Sequence, residues 1–359
     1  MSNKTALYDD HVALKAHMVL FSNTWLPVRY NSEKDEHRAV REAVGIFDVS
    51  HMGEFLIRGD GALPFLQRLL TNNVAKLALN HAQYTLMLND MGGIIDDLIL
   101  YRLGLHDFLL CVNANNVDKD FRHIQQQMTS ATNLKIANHS DRYSQIAVQG
   151  RNAASLLRRL TDDNLPERFC VSELSLLGIK AIVSRTGYTG EDGFEILVDN
   201  QDAPSLWRSL LQHGGDLALK PCGLAARDSL RLEAGLLLHG QDIDETTTPD
   251  EARLRFAVDM SKDDFVGKLA LDAKLRDVLP KKLFGFRLSE KGIARHGFTI
   301  LDGDMQPIGV VTSGTLLPDA DFAIGLCYIS APDVHIGQQV LIDIRGRMVK
   351  ASLKKPRFL

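Results

Sequence analysis

The spacing of apolar residues changes once along this chain, and this change limits the fold more than any other feature. In the first part, segments with an apolar residue at every third or fourth position alternate with short runs typical of β-strands. After Asp277-Val-Leu-Pro280, only short β-like runs separated by glycine-containing turns remain. The first pattern predicts helices that cover a sheet, and the second predicts a separate all-β unit. We therefore expect an α+β protein with a boundary between residues 279 and 280.

The predicted elements are spread over the whole chain. The expected helices are Glu33–Val44, Val117–Met128, Ala203–Gln212, Gly223–Leu237 and Gly267–Leu275. The expected strands are Gly53–Ile57, Gln83–Leu88, Ile94–Tyr101, Phe108–Val112, Gln145–Val148, Lys180–Ser184 and Phe194–Val198, followed by Leu283–Leu288, Pro307–Thr312, Ala323–Tyr328 and Gln339–Ile344.

Charge and cysteine content exclude several classes of function. The chain has 41 basic and 45 acidic residues, so its net charge of -4 provides no general attraction for nucleic acid or an anionic membrane. Its four cysteines form no CxxC pair, its histidines form no HExxH motif, and no apolar run reaches the length of a membrane span. The N-terminus resembles neither a signal peptide nor a transit peptide. We expect a cytoplasmic enzyme or binding protein without a metal site.

A pair of adjacent carboxylates begins one of the predicted strands. Asp96 and Asp97 follow two glycines, and neighbouring residues of a strand point to opposite faces. Asp97 should therefore share a face with Ile95 and Ile99, where an ionised carboxylate requires a cation or several donors. The alternative is that both carboxylates cap the hairpin and accept backbone hydrogen bonds.

Two further segments contain residues suited to binding. In Ser184-Arg-Thr-Gly-Tyr-Thr-Gly-Glu-Asp-Gly-Phe-Glu195, three evenly spaced glycines surround Tyr188, which favours either a loop around a flat ligand or an ordinary hairpin connection. Neither the dinucleotide motif nor the P-loop motif fits this spacing. In the predicted helix after Pro221, Arg227 and Arg231 lie one turn apart. They could bind a carboxylate together, or pair locally with Asp228 or Glu233 on a solvated face.

These segments together resemble the glycine cleavage T-protein family over nearly the whole chain. The resemblance is carried by Phe47-Asp-Val-Ser-His-Met-Gly-Glu54, Gly92-Gly-Ile-Ile-Asp-Asp-Leu98, Val112-Asn-Ala114, Ile146-Ala-Val-Gln-Gly150, the Ser184–Glu195 segment, Gly223-Leu-Ala-Ala-Arg-Asp228, Gly240-Gln-Asp-Ile-Asp244 and Val311-Thr-Ser-Gly-Thr315. It implies a cloverleaf of three subdomains around a central folate channel. Residues 1–279 would then form two interleaved α+β subdomains that bind folate, and residues 280–359 a small C-terminal β-barrel.

The resemblance also implies which residues form the site. By motif position, Asp97 corresponds to the catalytic aspartate, and Glu195 and Arg227 correspond to the acid and the arginine that contact folate. Tyr188, Met52, Tyr84 and Asn113 are expected to line the same channel. Phe358 stands where the family has a tyrosine that contacts folate, and His239 stands where a tyrosine is common.

The implied function is an aminomethyltransferase of the glycine cleavage system. It would transfer the methylene carbon from S-aminomethyl-dihydrolipoyl H-protein to tetrahydrofolate with release of ammonia. The implied partners are lipoylated H-protein and tetrahydrofolate, without nucleic acid, membrane or metal. The alternative is a non-catalytic folate-binding regulatory relative. Flavin-dependent relatives are disfavoured because the chain has no GxGxxG motif, and relatives in iron-sulfur assembly because Leu236–Gly240 has no cysteine.

Overall fold

The fold is taken from a computed structural model that describes residues 2–128, 133–274, 278–318, 320–330 and 334–359. The chain forms two compact units, and neither is continuous in sequence. The first unit consists of Met1–Thr85 and Asp97–Arg227, and the second of Leu86–Asp96 and Asp228–Leu359. The expected domain boundary at residues 279 and 280 stays a prediction. Asp277 and the expected helix end at Leu275 lie outside the described residues.

The first unit contains most of the helices and sheets of the chain. In order, its elements are β1 (Asn3–Lys4), α1 (Tyr8–Ala13), β2 (His17–Phe21), β3 (Thr24–Arg29), α2 (Glu33–Glu42), β4 (Val44–Asp48), β5 (Gly53–Arg58), α3 (Ala62–Leu69), β6 (Ala82–Leu88), β7 (Ile94–Arg102), β8 (Asp107–Val112), α4 (Val117–Gln127), β9 (Lys135–Asn138), β10 (Tyr143–Gln149), α5 (Ala153–Leu157), β11 (Val171–Leu176), β12 (Ile179–Ser184), β13 (Gly193–Asp199), α6 (Ala203–His213), β14 (Leu219–Pro221) and α7 (Leu224–Glu233). The tip of the β6–β7 hairpin and the end of α7 belong to the second unit.

Two sheets of the first unit face each other. The six-stranded sheet has the order β11-β12-β13-β10-β4-β14, and the five-stranded sheet has the order β6-β7-β8-β5-β9. Alternate residues of the six-stranded sheet, such as Ile196, pack with α5 and α6 in a core that includes Trp207. Residues of the opposite parity, such as Leu197, pack against Tyr101, Leu109 and Cys111 of the five-stranded sheet. We call this second cluster the inter-sheet layer.

The second unit is built around a barrel. Its further elements are α8 (Lys268–Lys274), β15 (Lys282–Leu288), β16 (Thr299–Leu301), β17 (Pro307–Thr315), β18 (Ile324–Ile329), β19 (Gln339–Ile344) and β20 (Arg347–Lys354). The last six close into a barrel in the order β15-β18-β17-β16-β19-β20. The α+β class and the C-terminal β-barrel are therefore confirmed. The cloverleaf of subdomains around a folate channel stays a prediction from the family resemblance. Within the described parts of the chain, no helix is long and apolar enough to cross a membrane.

The helix predicted for Gly223–Leu237 is shorter in the structure, and the chain geometry explains its end. Helix α7 ends at Glu233, and Gly235 follows with a left-handed φ of +73°. A Cβ atom at this glycine would approach the carbonyl oxygen of Pro356 to 2.8 Å. Glycine is therefore required where the chain leaves the helix and passes the C-terminal segment.

Arg231 on α7 is completely buried in an ion-pair network of the second unit. Its guanidinium lies 2.5 Å from Asp242, donates to Asp228 and donates to the hydroxyl of Ser313 at 2.9 Å. Asp242 also accepts hydrogen bonds from the hydroxyls of Thr312 and Ser313. The network explains two motifs of the sequence, since it joins the Gly240–Asp244 segment to barrel strand β17. Pairing of Arg231 with Asp228, one of the two alternatives from the sequence, is present. The solvated face of that alternative is wrong for Arg231, because its side chain is only 1% exposed.

Replacing Asp242 by leucine is expected to lower the free energy of unfolding by about 3–5 kcal/mol, because Arg231 would keep a buried charge without its main partner. The double variant Asp242→Leu with Arg231→Met should recover most of that loss. Asp250→Asn is the control, because it removes a partly exposed ion pair with Arg255 and should cost less than about 1 kcal/mol. Urea unfolding of the four proteins measures the difference, and equal losses in the single and double variants would contradict the role of the ion pair.

Candidate functional site

The Asp97 carboxylate on β7 is held by two side chains. The Tyr84 hydroxyl donates to Asp97 Oδ2 at 3.0 Å, and Asn113 Nδ2 donates to Asp97 Oδ1 at 2.9 Å. The same amide nitrogen donates to the backbone oxygen of Asp97 at 2.9 Å. Side chains from β6 and from the residue after β8 therefore orient the carboxylate. Its position is therefore set by two neighbouring strands.

The strand register brings a fourth predicted residue to the same place. Gly53 is paired with Val112 across β5 and β8, and Ile99 is paired with Cys111 across β7 and β8. Met52 and Asn113 lie one residue beyond the first of these pairs, and Asp97 and Asn113 lie two residues beyond the second. The three residues therefore form a row across three neighbouring chain segments. Met52 also packs against the inter-sheet layer.

Asp48 fixes the turn that contains Met52. The Asp48 Oδ1 atom accepts hydrogen bonds from the backbone nitrogen and the hydroxyl of Ser50, at 2.9 and 2.6 Å. Its Oδ2 atom lies 2.9 Å from Nε2 of the buried His11. Burial would raise the pKa of Asp48, but the hydrogen bonds of His11 and Ser50 outweigh it and hold the pKa below its ordinary value. A buried carboxylate thus anchors the turn that leads into β5.

Glu195, Arg227 and Tyr188 form a second group. The Arg227 guanidinium lies over the Tyr188 ring, 4.7 Å from its centroid. The Glu195 side chain accepts a 2.5 Å hydrogen bond from the Thr186 hydroxyl. Burial lowers the pKa of Arg227, and the negative charge of Glu195 opposes this effect. A cation, a carboxylate and an aromatic ring are therefore within electrostatic reach of one another.

The glycine-rich loop before Glu195 is a hairpin connection, and it also holds Tyr188. It joins the antiparallel strands β12 and β13 around the buried Gln149. The Gln149 amide donates to the backbone oxygen of Thr186 and accepts from the Thr189 hydroxyl. A Cβ atom at Gly187 would lie 2.0 Å from Gln149 Oε1, so this glycine is required by packing. The loop is therefore an ordinary hairpin connection, and this does not exclude that it also surrounds a flat ligand.

Cys111 connects the two groups of site residues. Its thiol donates to Gln145 Oε1 at 3.4 Å. Burial raises the pKa of the thiol well above its ordinary value, and the charge of Glu195 adds to this rise while the Gln145 hydrogen bond and Arg227 oppose it. Cys111 is therefore a neutral thiol between the row of Asp97 and the pair of Glu195 and Arg227. All four cysteines are free. Cys111, Cys222 and Cys327 are buried, and Cys170 is partly exposed.

Three polar residues of this region were not recognised in the sequence. They are His51, which precedes Met52, Glu54 on β5, which has the same parity as Met52, and Gln145 on β10, which has the same parity as Tyr143 of the inter-sheet layer. For Glu54 and Gln145, the alternation of side chains along their strands was the signal in the sequence that places them between the sheets. It was missed because glutamate and glutamine in a strand are more often on a solvated face. In the described ranges, no group of three histidine, cysteine or acidic residues could hold a metal ion.

Comparisons with known proteins place this arrangement in a family. The GCVT N-terminal domain matches residues 7–262, and the glycine cleavage T-protein C-terminal barrel domain matches residues 281–359. The chain belongs to the glycine cleavage T-protein family. It is 42% identical over 358 residues to an aminomethyltransferase of Caldanaerobacter subterraneus subsp. tengcongensis, covering 99% of this chain and 95% of the relative. It is 44% identical over 362 residues to an aminomethyltransferase of Staphylococcus carnosus, covering 99% and 98%.

A solved member of the family has the same fold. The crystal structure of the glycine cleavage system aminomethyltransferase T from Bartonella henselae matches with a TM-score of 0.92 at 32% identity, over 100% of this chain and 98% of that one. The family resemblance seen in the sequence is therefore confirmed. With aminomethyltransferases as full-length relatives, the chain is a transferase enzyme that functions as a glycine cleavage T-protein.

His51 is expected to stay neutral in the folded protein down to pH values near 4. Burial lowers the pKa of His51 to about 4, Arg227 acts in the same direction and Asp48 opposes it. The unfolded chain binds this proton below about pH 6.5, so stability is complete above that pH and falls toward pH 4, by up to about 1.4 kcal/mol per pH unit. Unfolding free energies of the wild type and His51→Gln at pH 7 and pH 5 measure this loss, which the variant should largely lack.

The exposed His106 provides the control for this measurement, since its side chain is 53% exposed. His106→Gln should leave the pH dependence of unfolding as it is in the wild type. If His51→Gln and the wild type lose the same stability between pH 7 and pH 5, His51 is not the group that takes up the proton.

Proposed function

We propose that this family member transfers the methylene carbon of S-aminomethyl-dihydrolipoyl H-protein to tetrahydrofolate and releases ammonia. The observation that carries the proposal is the Asp97 carboxylate, oriented by Tyr84 and Asn113 in the same unit as Glu195 and Arg227. Tetrahydrofolate is the acceptor in this proposal, and no metal takes part.

Asp97 acts on the charge that develops during the reaction. Loss of ammonia and transfer of the methylene group pass through cationic species, which a fixed carboxylate stabilises without having to reorganise. Tyr84 and Asn113 keep both oxygens of Asp97 in place before the substrate arrives. The carboxylate also orients the attacking amine of tetrahydrofolate or accepts its proton. Holding the carbon donor and the nitrogen acceptor in contact supplies a further part of the rate.

Glu195, Arg227 and Tyr188 bind the folate acceptor in this proposal. A carboxylate such as Glu195 matches the amino and ring N–H edge of a pterin, and Thr186 holds one of its oxygens in place. Arg227 binds a carboxylate of the glutamyl tail or an oxygen of the ring, and Tyr188 offers an aromatic face. Met52 lines the apolar side of the same layer.

The protein partner in this proposal is lipoylated H-protein of the glycine cleavage system. Membership of the T-protein family supports a partner from that system. The proposed compartment is the cytoplasm, where the four free cysteines would stay reduced.

The Asp97→Asn variant is expected to lower the rate of methylene transfer at least about 100-fold, because the amide keeps the shape but lacks the charge. Binding of tetrahydrofolate should change less than about threefold, since the affinity for folate is assigned to the contacts of Glu195, Arg227 and Tyr188. Single-turnover ammonia release from aminomethylated H-protein, with and without tetrahydrofolate, measures the rate. Asp107→Asn is the matched control on the same sheet, where Asp107 is half exposed and pairs with Arg58.

A wild-type protein that binds tetrahydrofolate but releases no ammonia from aminomethylated H-protein would be the non-catalytic regulatory relative. An Asp97→Asn variant that transfers the carbon at the wild-type rate would remove Asp97 from the mechanism. Strong acceleration by tetrahydrofolate in the wild type, lost in Asp97→Asn and kept in Asp107→Asn, is the expected result.

A further inference from the structure

Two buried polar side chains of the inter-sheet layer have no role in the mechanism above. Glu54 and Gln145 are each 1% exposed. Among the described residues, Oε2 of Glu54 and Nε2 of Gln145 have no hydrogen-bond partner. A buried polar atom without a partner costs about 1–3 kcal/mol, and native proteins contain only a few of them. Two such atoms in one layer therefore require an explanation.

The two residues approach the same thiol from opposite sheets. Glu54 is the register partner of Cys111 in the five-stranded sheet, and Gln145 accepts the hydrogen bond of that thiol from the six-stranded sheet. Gln145 is thus in contact with Cys111, while Glu54 is its direct neighbour across the strands. Both residues belong to the same compact unit as Asp97, Glu195 and Arg227.

The surroundings of Cys111 place this pair beside the proposed folate contacts. The charges of Glu195 and Arg227 both act on the Cys111 thiol, whose register partner is Glu54. Glu54 also lies two residues from Met52, on the strand that borders the row of Asp97 and Asn113. Gln145 belongs to β10, whose neighbouring strand β13 carries Glu195.

We propose that Glu54 and Gln145 form a hydrogen-bonding subsite for the heteroaromatic ring of the folate acceptor, and that they contribute to the choice of that ring. The proposal rests on the proposed function, because it takes the acceptor to be a reduced folate. Glu195 offers acceptor oxygens to the N–H edge of the ring. Glu54 and Gln145 complete the recognition by offering donors to its lone pairs.

The protonation of Glu54 agrees with a donor role. Burial raises the pKa of Glu54 well above its ordinary value, with no positively charged group as a counteracting cause. This shift favours the neutral carboxyl group, which carries an O–H donor. The Gln145 amide adds N–H donors, so the two side chains can satisfy acceptor atoms that a carboxylate such as Glu195 would repel.

The test compares stability with affinity in the full-length protein. Affinity for 5-formyltetrahydrofolate, a reduced folate with a blocked N5, is measured by calorimetry, and thermal unfolding is measured without ligand. Glu54→Leu should weaken binding about tenfold, since a buried hydrogen bond is lost. The same change should leave the melting temperature unchanged or raise it, because an unsatisfied buried group is removed. Gln145→Leu should lower affinity in the same way.

Two controls separate a binding role from a structural one. Glu54→Gln keeps a neutral side chain of the same shape with donors, so it should bind within about threefold of the wild type. Glu251→Leu replaces a buried glutamate that accepts hydrogen bonds from the backbone and hydroxyl of Thr248, so it should lower the melting temperature and leave affinity unchanged. The loss in Glu54→Leu should be equal for 6-methyltetrahydropterin, which has no glutamyl tail.

The outcomes are distinguishable. If Glu54→Leu and Gln145→Leu bind 5-formyltetrahydrofolate like the wild type, the subsite is refuted while the proposed function stands. If Glu54→Leu loses stability and affinity together and Glu54→Gln restores neither, the role of Glu54 is structural and the subsite is also refuted. If the wild type itself binds no reduced folate, the proposed function fails and this inference with it.

Discussion

A carboxyl group that is wholly or partly removed from water must be fixed by donors or shift toward its neutral form, and carboxyl groups of the first unit show both effects. Asp97 is held by the Tyr84 hydroxyl and the Asn113 amide, and Glu195 by the Thr186 hydroxyl. No comparable donor to Glu54 is present among the described residues, and burial raises its pKa, which favours the neutral form. The proposed chemistry depends on this difference between Asp97 and Glu195, which are held by donors, and Glu54, which is not.

Strand alternation creates this layer from an ordinary hydrophobic pattern. Strands of the six-stranded sheet place every second side chain in the core beneath the helices, where Ile146 and Ile196 lie. The side chains in between point toward the five-stranded sheet. Tyr143 and Leu197 are the apolar members of the inner set, and Gln145 and Glu195 are its polar members. The apolar members exclude water, which strengthens the electrostatic interactions of the polar ones.

Much of this arrangement was predictable from the sequence, because it follows from local pattern. The strand containing Asp97, the hairpin around Tyr188 and the barrel after residue 280 were expected close to their observed bounds. Partners distant in sequence could not be derived in this way. The link of Arg231 to Ser313 spans 82 residues and that of Cys111 to Gln145 spans 34, and no periodicity encodes either of them. The family resemblance supplied the roles of single residues, but it gave no role to Glu54, although this residue ends one of the motifs that carry the resemblance.

The hairpin tip Leu86–Asp96 belongs to the second unit although its strands continue into the first. Its backbone is tied to a much later part of the chain, since Ile94 donates to the carbonyl oxygens of Asp244 and Thr247. During synthesis, this tip leaves the ribosome long before those acceptors exist. Nascent chains must therefore carry an incomplete hairpin next to Asp97 until the C-terminal half has emerged, and a cut between residues 227 and 228 would separate the tip from the residues that complete it.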